Sequence, residues 1–338
     1  MKRIIDVNIN RASEAARILE EIARFYLEDK ELSENLKKIR HTICQSYDSS
    51  YDFLIKSRDT IHDVGVKIEN PTKRIDLSSI FKANIKRLEQ ALRVLAEYSP
   101  DYFSVFENLR YESYTIEQIM WEKLSMKINK IRLMDKKLYL VTNSDSFNSD
   151  DEFLDAAASA LKGGVDILQL REKHSDAKRI IKLGKRLREL CSMYNTLFIV
   201  NDRIDIAQIV HADGVHLGQD DIDIQYAREV SGENFIIGIS THAPEQAQKA
   251  QNDGADYIGV GPIFSTPTKQ GVTPVGFEYL NWVSQNIDIP YFAIGGIDIA
   301  NVDEVIKNRT ERIAVVRAIM NAASPELAAK EFIQKLNK

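Results

Sequence analysis

Over roughly the first 128 residues the apolar positions recur every three to four residues in long stretches, broken only by Gly65, Pro71 and Pro100. That spacing predicts an all-helical half. Within residues 15–25, Ala15, Ile18, Leu19, Ile22 and Phe25 form one apolar stripe with charge on the opposite face, and such a stripe needs a partner helix. A repeat supplies a candidate. The segment Asn8-Ile9-Asn10-Arg11 through Ala15, Arg17, Leu19 and Glu21 recurs 76 positions later as Asn84-Ile85-Lys86-Arg87 through Ala91, Arg93, Leu95 and Glu97, with seven of fifteen positions identical. The half therefore reads as a duplicated helical unit.

From Leu138 the pattern changes to short β-rich runs that alternate with helical stretches, as βα units on a parallel sheet do. Eight runs stand out: Leu138 to Val141, Ile167 to Leu170, Leu197 to Val200, Gly214 to Leu217, Phe235 to Ile239, Tyr257 to Val260, Tyr291 to Ile294, and Ile313 to Val316. Each is followed by enough chain for a helix, so the expected fold is α/β, a TIM (β/α)8 barrel behind an all-helical N-terminal domain. An open doubly wound sheet is the alternative, but its G-x-G-x-x-G turn after the first strand is missing; the chain there reads Val141-Thr142-Asn143-Ser144. The expected domains are residues 1–128 and 131–338.

Composition adds mainly exclusions. With 44% hydrophobic and 28% charged residues and a net charge of -5, the chain gives no electrostatic reason to expect a nucleic-acid partner. No apolar run approaches the roughly 20 residues that span a bilayer, and the N-terminus lacks the apolar core of a secretory signal. A cytoplasmic location without membrane partners is expected. Cys44 and Cys191, one in each half, suit packing better than a disulfide or a cysteine metal site.

In a TIM barrel the reactive groups gather at the C-terminal strand ends. Here those ends read Gln169-Leu170-Arg171-Glu172-Lys173, Asn201-Asp202, Gly218-Gln219-Asp220-Asp221, Ser240-Thr241-His242, a long sixth loop from Gly261 to Lys269, Gly295-Gly296, and Arg317. Strand alternation sends Gln169, Arg171 and Lys173 to one side, which suits a polyanion. Asp202 and Asp221, on adjacent strands, suit one Mg²⁺, a hard ion that binds one or two carboxylates plus substrate phosphates. Ion pairs at the barrel mouth would also account for any one of these residues alone. Gly295-Gly296 and Val316-Arg317 lie where barrels bind a phosphate through backbone N–H groups, so a second anion is expected there. Thr266, Thr268 and Lys269 add hydroxyls and a cation on a loop suited to closing over substrates. His216 and His242 lie near the mouth and read as supporting or packing residues.

In the order Q-x-R-x-K, N-D, G-Q-x-D, G-x-S, T-x-T-K, G-G-I and A-V-V-x-A-I, these motifs resemble the thiamin phosphate synthase family over residues 131–338. The resemblance implies a transferase of thiamin biosynthesis that joins hydroxymethylpyrimidine diphosphate to hydroxyethylthiazole phosphate with Mg²⁺ and releases pyrophosphate. By matching position, Gln169, Arg171, Lys173, Asn201, Ser240 and Lys269 would bind the diphosphate, with Arg171, Lys173, Ser240 and Lys269 catalytic. Asp202 and Asp221 would hold the metal, and Thr266, Thr268, Gly296, Val316 and Arg317 the thiazole phosphate. Many members carry serine where this chain has Arg317. A backbone contact there would survive the exchange, whereas a hydroxyl contact would be lost.

The helical half resembles the alternative hydroxymethylpyrimidine phosphate kinase family through Asn8-x-Asn10-Arg11, its copy from Asn84, and Arg58-Asp59-Thr60-x-x-Asp63-Val64-Gly65. Yet it holds neither a G-x-x-x-x-G-K-[ST] loop nor a kinase glycine loop. Solvated or interhelical ion pairs are the simpler reading of Arg11, Arg17, Arg87 and Arg93. A thiazole-tautomerase-like barrel and a non-catalytic precursor-binding module are the competing functions. The oligomeric state, a homo-oligomer included, stays open.

Overall fold

A computed structural model describes residues 1–47, 51–59, 61–62, 74, 76–266 and 273–337. The chain forms two compact units, Met1–Lys127 and Ile128–Lys338.

The regular structure of the first unit, among its described residues, is all helical: α1 (Lys2–Glu21), α2 (Lys30–Gln45), α3 (Tyr51–Ile55), α4 (Leu77–Tyr98) and α5 (Phe103–Met134), whose last residues belong to the second unit. The side chains of Asp29 and Asp76 cap α2 and α4 by accepting from Leu32 N–H and Ser79 N–H, at 3.0 and 2.7 Å. The two repeat copies are α1 and α4, which pack on each other. Ala12, Ala15, Ala16 and Leu19 of α1 and Ile85, Leu88, Leu92 and Leu95 of α4 are all fully buried. Asn8 and Asn84 hold equivalent buried positions, and each amide donates to the carbonyl four residues earlier, Ile4 at 2.7 Å and Ile80 at 2.8 Å.

Phe25 departs from the expected stripe, being 65% exposed. Residues Ile22–Tyr26 form a π-helical turn, in which Leu27 N–H reaches Ile22 O at 2.9 Å, and the extra residue rotates Phe25 off the α-helical register. Arg17 and Arg93 pair with Glu21 and Glu97 one turn on, at 2.9 and 2.5 Å, as solvated ion pairs would. Thr60, Asp63, Val64 and Gly65 lie outside the described residues. Cys191 is buried, and burial pushes its thiol up to about 12, whereas Cys44 is exposed on α2 and is not a core residue. A thiol on the outward side of an amphipathic helix has no core to enter.

The second unit is a closed parallel barrel in the order β1 to β8. The strands are β1 (Leu138–Val141), β2 (Ile167–Leu170), β3 (Leu197–Asn201), β4 (Gly214–Leu217), β5 (Ile236–Thr241), β6 (Tyr257–Val260), β7 (Tyr291–Ile294) and β8 (Ile313–Val315). Alternation splits the barrel into two cores. Leu138, Leu140, Leu168, Leu170, Phe198 and Val200 point outward to the helices. Tyr139, Val141, Ile167, Leu197, Ile199, Tyr257 and Phe292 fill the interior with Leu133 of α5. Among the described residues, no helix is long and apolar enough to cross a membrane.

At the N-terminal strand ends, three aspartates clasp neighbouring strands. Asp166, just before β2, accepts from Lys137 and Leu138 N–H at 2.9 and 3.0 Å. Asp213, before β4, accepts from Phe198 N–H at 2.9 Å, and Asp256, before β6, from Ile237 N–H at 2.8 Å. Burial would raise the Asp213 carboxyl, but Phe198 N–H, Arg188 and Arg132 outweigh it and hold the group below its usual value. A depressed carboxyl adds stability above its unfolded pKa of about 4, and that stability is lost as pH falls through the folded value. Asp213→Asn should therefore destabilise the barrel by about 2–4 kcal/mol at neutral pH. The gap from wild type should narrow in urea titrations carried from pH 7 down to 3.5. An equal gap at both pH values would mean that the charge is not what the variant loses.

Candidate active site

A cavity of about 410 Å³ opens at the C-terminal ends of the strands. Every expected site residue among those described lines it: Gln169, Arg171, Lys173, Asn201, Asp202, Asp221, Ser240, Thr266, Gly296, Val316 and Arg317. Thr268 and Lys269 lie outside the described residues.

The end of β2 is positioned by the residue that faces away from the cavity. Alternation turns Arg171 and Lys173 inward and Glu172 outward, where its side chain is 2% exposed. There Glu172 accepts from Ser144 N–H at 3.1 Å, Ser144 Oγ at 2.6 Å, Ser175 Oγ at 2.9 Å and Arg179 Nη1 at 3.2 Å. Such an anchor fixes the loop that carries both cations. Glu172→Ala would leave buried donors unpaired and should cost about 2–3 kcal/mol of stability. It should also loosen anion binding in the cavity, which pyrophosphate titration would read; unchanged binding would show that the loop holds without it.

Lys173 Nζ is 3.2 Å from Asp202 Oδ2, so one of the expected mouth ion pairs exists. Arg171 makes no ion pair among the described residues and is available to a ligand. Asp202 stands at φ 59°, a left-handed conformation that Asp tolerates better than most residues. Its N–H donates to His216 O at 2.9 Å, which ties the β3 end to β4. Burial, and then Asp221 beside it, push the Asp202 carboxyl above its usual range, while Lys173 opposes the shift. Asp221 Oδ2 accepts from Gly218 N–H at 2.6 Å. Two facing carboxylates suit a hard divalent ion that completes its shell with water and phosphate oxygens. No group of three or more His, Cys, Asp or Glu that could hold a metal occurs among the described residues.

Across the cavity, Gly295 and Gly296 have φ of 104° and 66°. A Cβ on Gly296 would stand 2.7 Å from Ser265 O, so the turn requires glycine both for its dihedral and for its close approach to the sixth loop. Val316 and Arg317 lead into a single helical turn, Arg317–Met320, and Arg317 is exposed at the mouth.

Five lining residues that were not expected to act carry the floor: Tyr139, His216, Tyr257, Phe292 and His242. Tyr139 Oη is 2.8 Å from Tyr257 Oη, and His216 reaches both Tyr257 Oη at 3.0 Å and Ser240 Oγ at 2.9 Å. Burial pushes both phenols well above their usual range, so they keep their protons. His242 Nδ1 bonds to Gly261 O. The sequence signal for this floor is Gly238, in the middle of β5. A Cβ there would fall 2.0 Å from Tyr257 Cζ, and only glycine leaves room for that ring.

Cations and a carboxylate pair on one wall, a glycine turn on the other, and aromatic faces between them suit two anionic, ring-bearing ligands held side by side. Residues 138–319 match the thiamine monophosphate synthase family, and residues 3–119 match the ThiD2 family. A thiamine-phosphate synthase of Thermosynechococcus vestitus is 40% identical over 100% of this chain and 95% of its own length. One from Synechocystis sp. is 41% identical over 99% of this chain and 96% of its own. A solved structure of thiamine phosphate pyrophosphorylase from Pyrococcus furiosus is 36% identical with a TM-score of 0.55, covering 62% of this chain and 97% of that one. The chain belongs to the thiamine monophosphate synthase family.

Proposed function

We propose that the cavity, within residues 131–338, joins hydroxymethylpyrimidine diphosphate to hydroxyethylthiazole phosphate. The carrying observation is that one cavity holds Arg171, Lys173, Asp202, Asp221 and Ser240 on one side and Gly296, Val316 and Arg317 on the other. In this reading the bond from the pyrimidine methylene to the diphosphate oxygen breaks, and its electron pair leaves with pyrophosphate. The aminopyrimidine ring bears the developing methylene cation, and the thiazole nitrogen lone pair forms the new C–N bond. Stabilising the departing charge is the enzyme's main task, and Arg171, Lys173, Ser240 and Lys269 are the groups for it. Asp202 and Asp221 would hold Mg²⁺, which neutralises diphosphate charge when bound. Gln169 and Asn201 would orient the pyrimidine half. Thr266, Thr268, Gly296, Val316 and Arg317 would hold the thiazole phosphate, with Arg317 adding a cation where many relatives carry serine. No nucleophile of the Ser-His-Asp kind is needed, because the electrophile forms by departure of the leaving group.

The tautomerase-like alternative has no use for the cation and carboxylate set, and a binding module would not turn over. The test is a coupling assay with both phosphorylated precursors and Mg²⁺; absence of thiamin phosphate and pyrophosphate would refute the proposal. The ThiD2 match supports a second reading, in which residues 1–128 phosphorylate hydroxymethylpyrimidine phosphate and so supply the barrel. Feeding the chain that monophosphate with a nucleoside triphosphate tests it. Diffusible small-molecule substrates support a cytoplasmic setting.

A further inference from the structure

Five side chains from five different strands form one continuous chain of hydrogen bonds under the cavity. Gln169 Nε2 donates to Tyr139 Oη at 2.8 Å, and Tyr139 Oη lies 2.8 Å from Tyr257 Oη. Tyr257 Oη lies 3.0 Å from His216 Nδ1, and His216 Nε2 lies 2.9 Å from Ser240 Oγ. Gln169, Tyr139 and Tyr257 are 3%, 2% and 0% exposed, so their protons have no solvent to turn to.

The chain has a direction. An amide N–H can only donate, so Tyr139 Oη accepts from Gln169 and offers its single proton to Tyr257. Tyr257 in turn offers its proton to His216 Nδ1, since these are the hydrogen bonds of both phenols among the described residues. An Nδ1 that accepts carries no proton, and the neutral ring then holds its hydrogen on Nε2, where it donates to Ser240 Oγ. The proton of Ser240 is thereby left for the cavity. The opposite direction would spend that proton on His216 and turn serine lone pairs toward an anion, which is repulsive. The two directions differ in the sign of what Ser240 presents.

We propose that Tyr139, Tyr257 and His216 are positioning residues which, through the neutral Nε2–H form of His216, hold the Ser240 hydroxyl as a hydrogen-bond donor to the diphosphate. The identity of that ligand rests on the function proposed above; the direction of the chain does not. Neighbouring glycines make the room: Gly238 lets the Tyr257 ring in, and a Cβ on Gly259 would already touch His216 Cε1 at 3.5 Å.

The direction is read in the full-length, ligand-free protein, labelled with ¹⁵N-histidine, by long-range ¹H–¹⁵N correlation. The chain has six histidines, and His216→Gln identifies the signals of His216. A protonated Nε2 beside a bare Nδ1 is expected; the Nδ1–H form would overturn the proposal. The consequence is read by titrating pyrophosphate with Mg²⁺. Tyr257→Phe keeps the ring, removes the donor to His216, and should weaken binding about tenfold, the size of one net hydrogen bond to a charged group. In a Ser240→Ala background the same change should weaken it less than about twofold, because the hydroxyl it orients is gone. Tyr139→Phe, one link further out, should act in the same direction and guards against a local packing defect at Tyr257. Equal losses with and without Ser240 would overturn the proposal. Failure of the wild-type chain to bind pyrophosphate would refute the diphosphate reading itself, an outcome distinct from a wrong tautomer.

Discussion

Lys173→Ala should lower kcat about 100-fold or more and raise the KM of the diphosphate substrate, because it removes a cation whose worth grows as the leaving group takes up charge. The structure gives this change a second effect. Lys173 Nζ sits 3.2 Å from Asp202 Oδ2, and its removal leaves the Asp202–Asp221 pair uncompensated. Arginine should rescue poorly, since a planar guanidinium does not reproduce a compact ammonium at that distance. Gly296→Ala should fail differently. The new Cβ, at φ 66° and 2.7 Å from Ser265 O, pushes the Gly295-Gly296 turn and the sixth loop apart, on the side of the cavity proposed for the thiazole phosphate. It should raise the KM of the thiazole phosphate about tenfold or more while leaving that of the diphosphate within about twofold. Steady-state constants for both substrates in both variants separate the two sites. If each variant impaired the other's substrate, the two sites would be inverted.

Asp202→Asn and Asp221→Asn should each lower turnover by about 10²–10³-fold at limiting Mg²⁺ and shift the Mg²⁺ requirement upward, because each halves the charge of a site with two carboxylates. Folding should survive both changes. Asparagine tolerates the left-handed backbone that Asp202 adopts at φ 59°, and its amide oxygen at position 221 can still accept from Gly218 N–H. Thermal unfolding near the wild-type midpoint, together with lost activity that high Mg²⁺ partly restores, is the expected pair of results. Wild-type rates at limiting Mg²⁺ in both variants would refute the metal assignment.

The barrel was legible because its strands are short, apolar and buried on both faces. Runs such as Leu138–Val141 and Tyr257–Val260 coincide with the strands residue for residue, whereas β3 runs on to Asn201, β5 starts at Ile236 and runs on to Thr241, and β8 stops at Val315. Residues at the strand ends were legible for a similar reason: a charge that directly follows a buried run has only the mouth to occupy. The hydrogen-bonded floor was not. Tyr139 and Tyr257 are 118 positions apart, and each sits inside an apolar run where an aromatic residue reads as core. Their hydroxyls meet only because closure brings β1 and β6 across the interior, a contact that no local pattern encodes. Phe25 was misplaced for the opposite reason, because a single π-helical turn shifts the register without changing the apolar pattern. Glu172 went unnoticed between two cations, although alternation alone implies that it faces away from them.

The aspartate clasps lie at the other end of the same strands from the reacting groups. Asp166, Asp213 and Asp256 join β1 to β2, β3 to β4 and β5 to β6, and none of them lines the cavity. Durability and chemistry are therefore carried by separate residues of one scaffold. The scaffold can be made hardier or more fragile at the clasps without touching a group that lines the cavity.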